Sequence, residues 1–249
     1  MQRPTEQDTE TSLGKALAIL EAFSFERPEM SVRELAQQSG VSRSTTHRLV
    51  LELLDWGALE RGPGGVRLGV RLFELGTLAP THATLREAAS PFLHTLNEVT
   101  RLTANFAVRE GNAIVYLEKI GSRTLKVPHS RMGGRGSLHA TALGKAILAF
   151  SGPVSLEELL SEPLQPLTPH TMTSRAELNA ETRKVRKTSV AYDLEESREG
   201  LFCVASPVFD SRGLITAAVS VTGATGQSQA EHFAPTVHAI ALGITRALR

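Results

Sequence analysis

Residues 31–69, SVRELAQQSGVSRSTTHRLVLELLDWGALERGPGGVRLG, constrain the fold more than any other stretch of the chain. Ser31, with Glu34 three residues on, forms a capping box, in which hydroxyl and carboxylate satisfy orphan backbone donors at a helix start. Val32, Leu35 and Ala36 then recur at helical spacing, and Gly40 supplies the stop. After Val41, Ser42 is a good N-cap for a second helix. A short helix, a glycine turn unhindered by a Cβ and a second helix make a helix-turn-helix. Residues 56–69 read as strand, Gly/Pro turn and strand, the hairpin that makes the motif a winged one. Ahead of it, SLGKALAILEAF (12–23) offers Leu13, Leu17 and Leu20 as the core stripe of a first helix.

On a helical wheel, Thr46, Leu49, Val50 and Leu53 of the second helix gather on one side, the core side. Ser44, His47 and Arg48 lie roughly opposite, with Arg43 on the flank. Ser42, Arg43, Ser44, Thr45, His47 and Arg48 thus load its N-terminal end with donors, and inward-facing Thr46 is not counted among them. A recognition helix reads the DNA major groove with its N-terminal residues. Arginine can bond guanine O6 and N7 together, serine and threonine take phosphates or base edges, and the helix N-terminus favours phosphate. Arg61 and Arg67 flank the wing tip, where arginines touch phosphate or the minor groove, and Arg33 adds a charge on the preceding helix. The second helix alone would equally fit a capped, solvated face; the wing after it favours double-stranded DNA. Between Arg33 and Arg71, six arginines stand against four acids. The whole chain is nearly neutral at +1, so the basic footprint is local.

The 249 residues, 41% of them apolar, suit a globular chain of one large domain or two ordinary ones. No apolar run approaches the roughly 18 residues that span a bilayer, and the polar, acidic opening MQRPTEQDTETS is no secretory leader. The single cysteine, Cys203, excludes an intrachain disulfide and a CxxC metal site. A cytoplasmic protein without membrane partner, metal or cofactor is expected. GSLHATALGKA fails as a phosphate loop, because His139 stands where a glycine is needed and no Ser or Thr follows Lys145. The histidines show no HxxxH or HExxH spacing. A thiol enzyme pairing Cys203 with His139 is the competing class. A lone cysteine in an apolar strand is more often an inert core residue, so no enzyme is expected. A DNA binder without ligand control leaves the larger second half of the chain unexplained.

In that half, a helix from about Val70 carries Leu72, Phe73, Leu75 and Leu78, apolar on more than one side as a helix shared between subunits would be. APTHAT (79–84) is expected to break it as a linker. Leu85, Ala88, Phe92, Leu96 and Val99 mark an amphipathic helix in which Pro91 signals a kink or a late start. A hairpin turns at Gly111-Asn112, a glycine-rich loop enters the helix after His139, and Ser174 with Glu177 forms another capping box. LFCVASPVF and LITAAVSVT are strands joined by DSRG, and a helix from about Ala230 to Leu248 ends the chain. An antiparallel sheet flanked by helices fits this order. Strand 214–222 places Thr216, Ala218, Ser220 and Thr222 on one face; the pattern alone favours a solvated face over a pocket wall. Asp193, Glu195, Glu196 and Glu199 read as a solvated acidic loop, though Asp193 adjoins a strand and suits a pocket mouth. The glycine-rich loop suits either an anionic metabolite or a plain helix cap.

These motifs together resemble the IclR family of bacterial transcription regulators. The resemblance is carried by SLGKALAILEAF, SVRELAQQSGVSRSTTHRLVLELLDWGALER and VRLGVRLFELG, then by LHATALGKAILA and DLEESREGLFCVASPVFDSRGLITAAVSVTG, over about residues 12–248. It implies an α+β protein: a winged helix-turn-helix (1–69), a linker helix and hinge (70–85), and a GAF-like effector-binding domain (86–249). It implies a homodimer or homotetramer, repressor or activator, that answers to a small metabolite, frequently a carboxylate or aromatic acid, and governs a catabolic operon. Carried over position by position, the family's effector pocket falls on Gly136, Ala142, Leu143, Asp193, Leu201, Cys203, Ser220 and Thr222. Arg131 and Arg135, in the loop before the motif, suit either a ligand carboxylate or the surface.

Overall fold

The computed structural model describes residues 11–121, 130–152, 159–160, 163–225 and 230–249. The polar first ten residues, and Pro128 and His129 of the loop ahead of the glycine-rich motif, lie outside them. The chain divides into two compact units, Met1–Ala83 and Thr84–Arg249.

In the first unit, helix α1 (Ser12–Glu21) precedes a two-residue strand β1 (Glu29–Met30), then α2 (Val32–Ser39) and α3 (Arg43–Trp56). The capping box forms as read: Ser31 Oγ accepts from Glu34 N, and the Glu34 carboxylate accepts from Ser31 N at 2.8 Å. Gly40 closes α2 in the left-handed region, φ 72°, which a side chain would strain. Ser42 caps α3, and Thr46, buried, turns its hydroxyl back to Ser42 O at 3.0 Å. Strands β2 (Leu59–Gly62) and β3 (Gly65–Leu68) make the wing, and β1 joins β3 to give the sheet order β1-β3-β2. β1 escaped the sequence reading because two residues carry no periodicity. It matters to the wing, since the Glu29 carboxylate accepts the Gly64 amide at the tip. Helix α4 (Val70–Thr77) starts with Arg71 stacked over the Trp56 ring, 4.5 Å from its centroid.

The expected core stripe of α1 is corrected by the packing. Ala18 and Ile19 are buried, whereas Leu13 is 70% and Leu17 50% exposed. α1 packs on α2 and α3 through the small Ala16 and Ala18 with Ile19 and Leu20, joined by its C-cap Ala22. Leu13 and Leu17 remain uncovered within the unit, and Leu20 alone of the expected stripe packs on its core. On α4, Val70, Phe73 and Leu75 are likewise exposed. The expected linker at 79–84 is also corrected: α5 (Pro80–Thr100) begins at Pro80, where a missing N–H costs nothing, so only Leu78 and Ala79 separate it from α4. Pro91 lies inside α5 and marks no late start.

The second unit holds a six-stranded antiparallel sheet in the order β6-β5-β4-β9-β8-β7. The strands are β4 (Thr103–Glu110), β5 (Ala113–Ile120), β6 (Arg135–Ser137), β7 (Ala191–Leu194), β8 (Leu201–Phe209) and β9 (Ile215–Ala224). Helices α5 and α8 (Ala230–Ala247) cover one face, where Leu93, Leu96 and Ile244 meet Phe106, Val219 and Val221. Helices α6 (Ala142–Phe150) and α7 (Arg175–Thr188) cover the other, where Leu143, Ile147 and Val185 meet Ala107, Ala205 and Ala218. Both faces of β9 are therefore buried, and its small polar side chains do not form the solvated face that alternation alone favours; Ser220 is fully buried and Thr222 3% exposed. The capping box at Ser174 is absent too, since no hydrogen bond from its hydroxyl caps α7. Gly144 lets α6 lie against Leu138: a Cβ there would stand 2.3 Å from Leu138 O. Among the described residues, no helix is long and apolar enough to cross a membrane.

Candidate functional site

On α3, Thr46, Leu49 and Val50 are buried, and Ser42, Arg43, Ser44, His47 and Arg48 are exposed around them, with Thr45 half-buried. The structure thus gathers the predicted donors on one open face at the N-terminal end of the helix. Ser42 Oγ and Thr45 Oγ1 are 2.9 Å apart, so the cap and the first turn orient each other. Arg48 is held by Glu52 one turn on, at 2.5 Å, with both side chains more than half exposed. Arg33 is exposed on α2. Arg61 and Arg67 are exposed on the wing, but the pairing of Arg61 with Val66 and of Arg67 with Glu60 puts them on opposite faces of the hairpin. Glu60 holds Arg67 at 2.6 Å.

In the second unit, Ala142, Leu143, Asp193, Leu201, Cys203, Ser220 and Thr222 line one inner chamber between the start of α6 and the sheet. Gly136 lines a wider outer cavity of about 750 Å³, which also takes in Arg135, Thr168 and Arg198. Tyr116, Thr141 and Ser197 border both spaces. The inner chamber leaves about 20 Å³ for a water-sized sphere, the room of roughly one water molecule. Arg131 lines neither space, while Arg135 also donates to Glu110 O at 2.9 Å.

Strand register builds the chamber floor. Asp193 pairs with Cys203, Cys203 with Thr222, and Asn105 with Ser220. Asp193, 1% exposed, is not a solvated acid: its Oδ1 accepts from Glu196 N at 2.8 Å and Ser197 N at 3.1 Å, and its Oδ2 accepts the Ser197 hydroxyl. Burial raises its pKa above the usual carboxylate range and these donors pull it back. Its main act is to fold the 193–200 loop over the chamber. Glu196 is buried as well, because the fully buried Lys145 ammonium of α6 donates to its Oε1. Desolvation raises the Glu196 carboxyl against the pull of Lys145. Thr168 and Thr171 hydroxyls clamp the same loop through Glu195 O and Glu196 O, each at 2.6 Å.

The geometry opposes the thiol-enzyme alternative. Burial, then the Asp193 charge, push the Cys203 thiol well above its ordinary value, opposite to what a thiolate nucleophile needs. His139 is engaged elsewhere. Its Nε2 meets Gln165 O at 3.0 Å and its Nδ1 meets Ser137 Oγ at 2.8 Å. A carbonyl can only accept, so Nε2 carries the proton. Among the described residues, no His, Cys, Asp or Glu group is placed to hold a metal ion.

Sequence reasoning missed Asn105, Tyr116, Thr141 and Ser197 in the chamber wall, and the Lys145–Glu196 pair behind it. Two signals were available: Asn105 is the one amide in the apolar strand TANFAV, and Lys145 stands alone in the apolar helix ALGKAILAF.

Comparison with known proteins assigns both units. Residues 12–63 match the IclR helix-turn-helix domain, and residues 78–246 match the model described as bacterial transcriptional regulator IclR C-terminal. The chain belongs to the IclR family of transcriptional regulators. It is 31% identical over 243 residues to the HTH-type transcriptional regulator XynR of Escherichia coli, covering 95% of this chain and 96% of that protein. It is 35% identical over 218 residues to KdgR of Dickeya chrysanthemi, covering 86% and 71%. An IclR homolog from Microbacterium hydrocarbonoxydans, crystallised with 4-hydroxybenzoate, superposes with a TM-score of 0.89 at 29% identity, covering 96% of this chain and 99% of that one. This IclR-family chain is a DNA-binding transcriptional regulator.

Two predictions follow from the buried groups. Lys145→Met or Glu196→Gln alone leaves an uncompensated buried partner and costs about 3–5 kcal/mol, while Lys145→Met with Glu196→Met recovers most of it. Urea denaturation of the full chain checks this, and additive losses in the double variant would contradict it. Burial lowers the pKa of His139 below its ordinary 6.5. A neutral, depressed histidine contributes stability that is complete above that value and lost as pH falls through the lowered one. Thermal melts from pH 8 to 5 show a decline in the native chain that His139→Gln reduces; an identical slope in both contradicts it.

Proposed function

We propose that the protein binds operator DNA through α3 and the wing, as a homodimer or homotetramer, and releases or tightens that grip when a small acid enters the chamber of the second unit. The observation that carries the reading is the open donor face of α3 over its buried Thr46, Leu49 and Val50. Ser42, Arg43, Ser44, Thr45, His47 and Arg48 enter the major groove, and Arg33, Arg61 and Arg67 steady phosphates. Arg43 is the principal base reader, because Arg48 must leave Glu52 to reach DNA. The domain division follows: residues 1–69 read DNA, 70–85 link, and 86–249 sense.

The exposed Leu13 and Leu17 of α1 and Val70, Phe73 and Leu75 of α4 supply apolar area for pairing two chains. Pairing sets two recognition helices one helical turn of DNA apart on a pseudo-palindromic operator. Gly136, Ala142, Leu143, Asp193, Leu201, Cys203, Ser220 and Thr222 form the effector site, and a carboxylate or aromatic acid is its ligand class, in keeping with the acid bound to the Microbacterium homolog. The site is a sensor without catalytic turnover, since its one thiol is held protonated. The protein acts in the cytoplasm, where its operator lies, on a metabolic operon.

Fluorescence anisotropy with DNA from upstream of the protein's own gene and from neighbouring operons tests this. Arg43→Ala is expected to cost about 1–3 kcal/mol of operator affinity. Unchanged affinity and an unchanged salt slope in that variant would remove α3 from the interface.

A further inference from the structure

Asn105 lies on β4 and is 1% exposed, yet its side-chain oxygen meets no donor among the described residues. Its amide nitrogen is used, donating to Thr222 Oγ1 at 3.2 Å and toward Ser220 Oγ at 3.4 Å. All three residues line the inner chamber. A buried carbonyl oxygen without a donor is costly, and native proteins keep few of them.

The Asn105 amide nitrogen faces two hydroxyl oxygens, and the sheet register sets the row that carries them. Asp193 is fixed as an acceptor by the backbone amides of Glu196 and Ser197. The Cys203 sulfur stands 3.1 Å from the Thr222 hydroxyl, and either atom can be the donor. The Thr222 and Ser220 hydroxyl oxygens accept from the Asn105 amide nitrogen. Asp193, Cys203 and Thr222 occupy one row across β7, β8 and β9, so the sheet register sets these groups side by side. With its nitrogen engaged there, Asn105 keeps its carbonyl oxygen as the unpartnered end of a residue that lines the chamber.

We propose that Asn105 Oδ1 is the acceptor that reads the effector, and that the effector is a hydroxy acid whose hydroxyl donates to it. The proposal rests on the effector reading of the chamber. Space supports the orientation: the inner chamber has room for about one hydroxyl-sized group, and the 750 Å³ outer cavity takes the rest of the molecule. The hydroxyl enters past Tyr116, Thr141 and Ser197, and the carboxylate stays in the outer cavity with Arg135.

Calorimetry of the full chain with two probe pairs tests it: 4-hydroxybenzoate against benzoate, and lactate against propionate. Within at least one pair the hydroxy member is expected to bind about ten-fold to a hundred-fold tighter, because the deoxy member leaves the acceptor buried and unpaired. Asn105→Leu should bring that ratio close to one by weakening the hydroxy member alone, and Asn105→Asp, which keeps an acceptor, should retain part of it. Equal binding within both pairs means that a water satisfies Asn105, and equal weakening of both members by Asn105→Leu means that the residue only ties β4 to β9. Either result overturns the proposal and leaves the effector reading standing, as does a lack of binding by all four probes. The effector reading fails separately, if no acid of a wider panel changes hydrogen exchange in α6 or β9. Should Asn105→Leu not fold, as judged by its melt and operator binding, the ratios in the native chain decide.

Discussion

A lysine ammonium with no exposed surface stands inside the second unit, and one carboxylate, Glu196, answers it. A buried charge is tolerated only when paired, so the loop that carries Glu196 has to close onto α6. That closure sets the rest of the site. It brings Asp193 under the loop, where the Glu196 and Ser197 amides and the Ser197 hydroxyl saturate it. It holds Ser197 beside Tyr116 and Thr141, at the passage between the outer cavity and the inner chamber. Gly144, one residue before Lys145, lets α6 approach Leu138 closely enough for the pair to form. Of the acidic run read as a solvated loop, Asp193 and Glu196 are thus buried, the latter on Lys145, while Glu199 stays exposed.

How much of this was legible depended on whether the cause was local. The helix-turn-helix was readable because Ser31, Glu34, Gly40 and Ser42 act on backbone groups within four residues of themselves, and each sits where the reading put it. The hairpin at Gly111 and the strand pair joined by residues 210–213 were readable for the same reason. Contacts between distant segments were not. Leu13 and Leu17 carry helical periodicity whether they face the unit's own core or another surface, so the wheel could not separate them from Leu20, which does pack on the core. Ser220 and Thr222 look solvated until α6 is placed over β9. Asn105 and Thr222 are 117 residues apart, and only the register of β4 on β9 makes them neighbours. The family resemblance pointed to much of the chamber lining, but it did not reveal which lining atoms are already satisfied.

Any coupling between the two units is reciprocal by thermodynamics, whatever the path between them. If an acid binds the chamber more tightly in one DNA-binding state, it shifts the population toward that state, and DNA must change acid affinity by the same factor. The inner chamber as it stands admits about one water-sized group, and the outer cavity is far larger.

The most direct test is operator affinity, measured by fluorescence anisotropy on a fragment that the protein itself selects from upstream DNA, across a panel of small carboxylic and hydroxy acids. A change of about 5- to 150-fold with at least one acid is the result predicted for coupled sites. Tight, sequence-selective binding that stays constant across the whole panel would contradict the account, leaving a DNA binder whose second unit senses none of these acids.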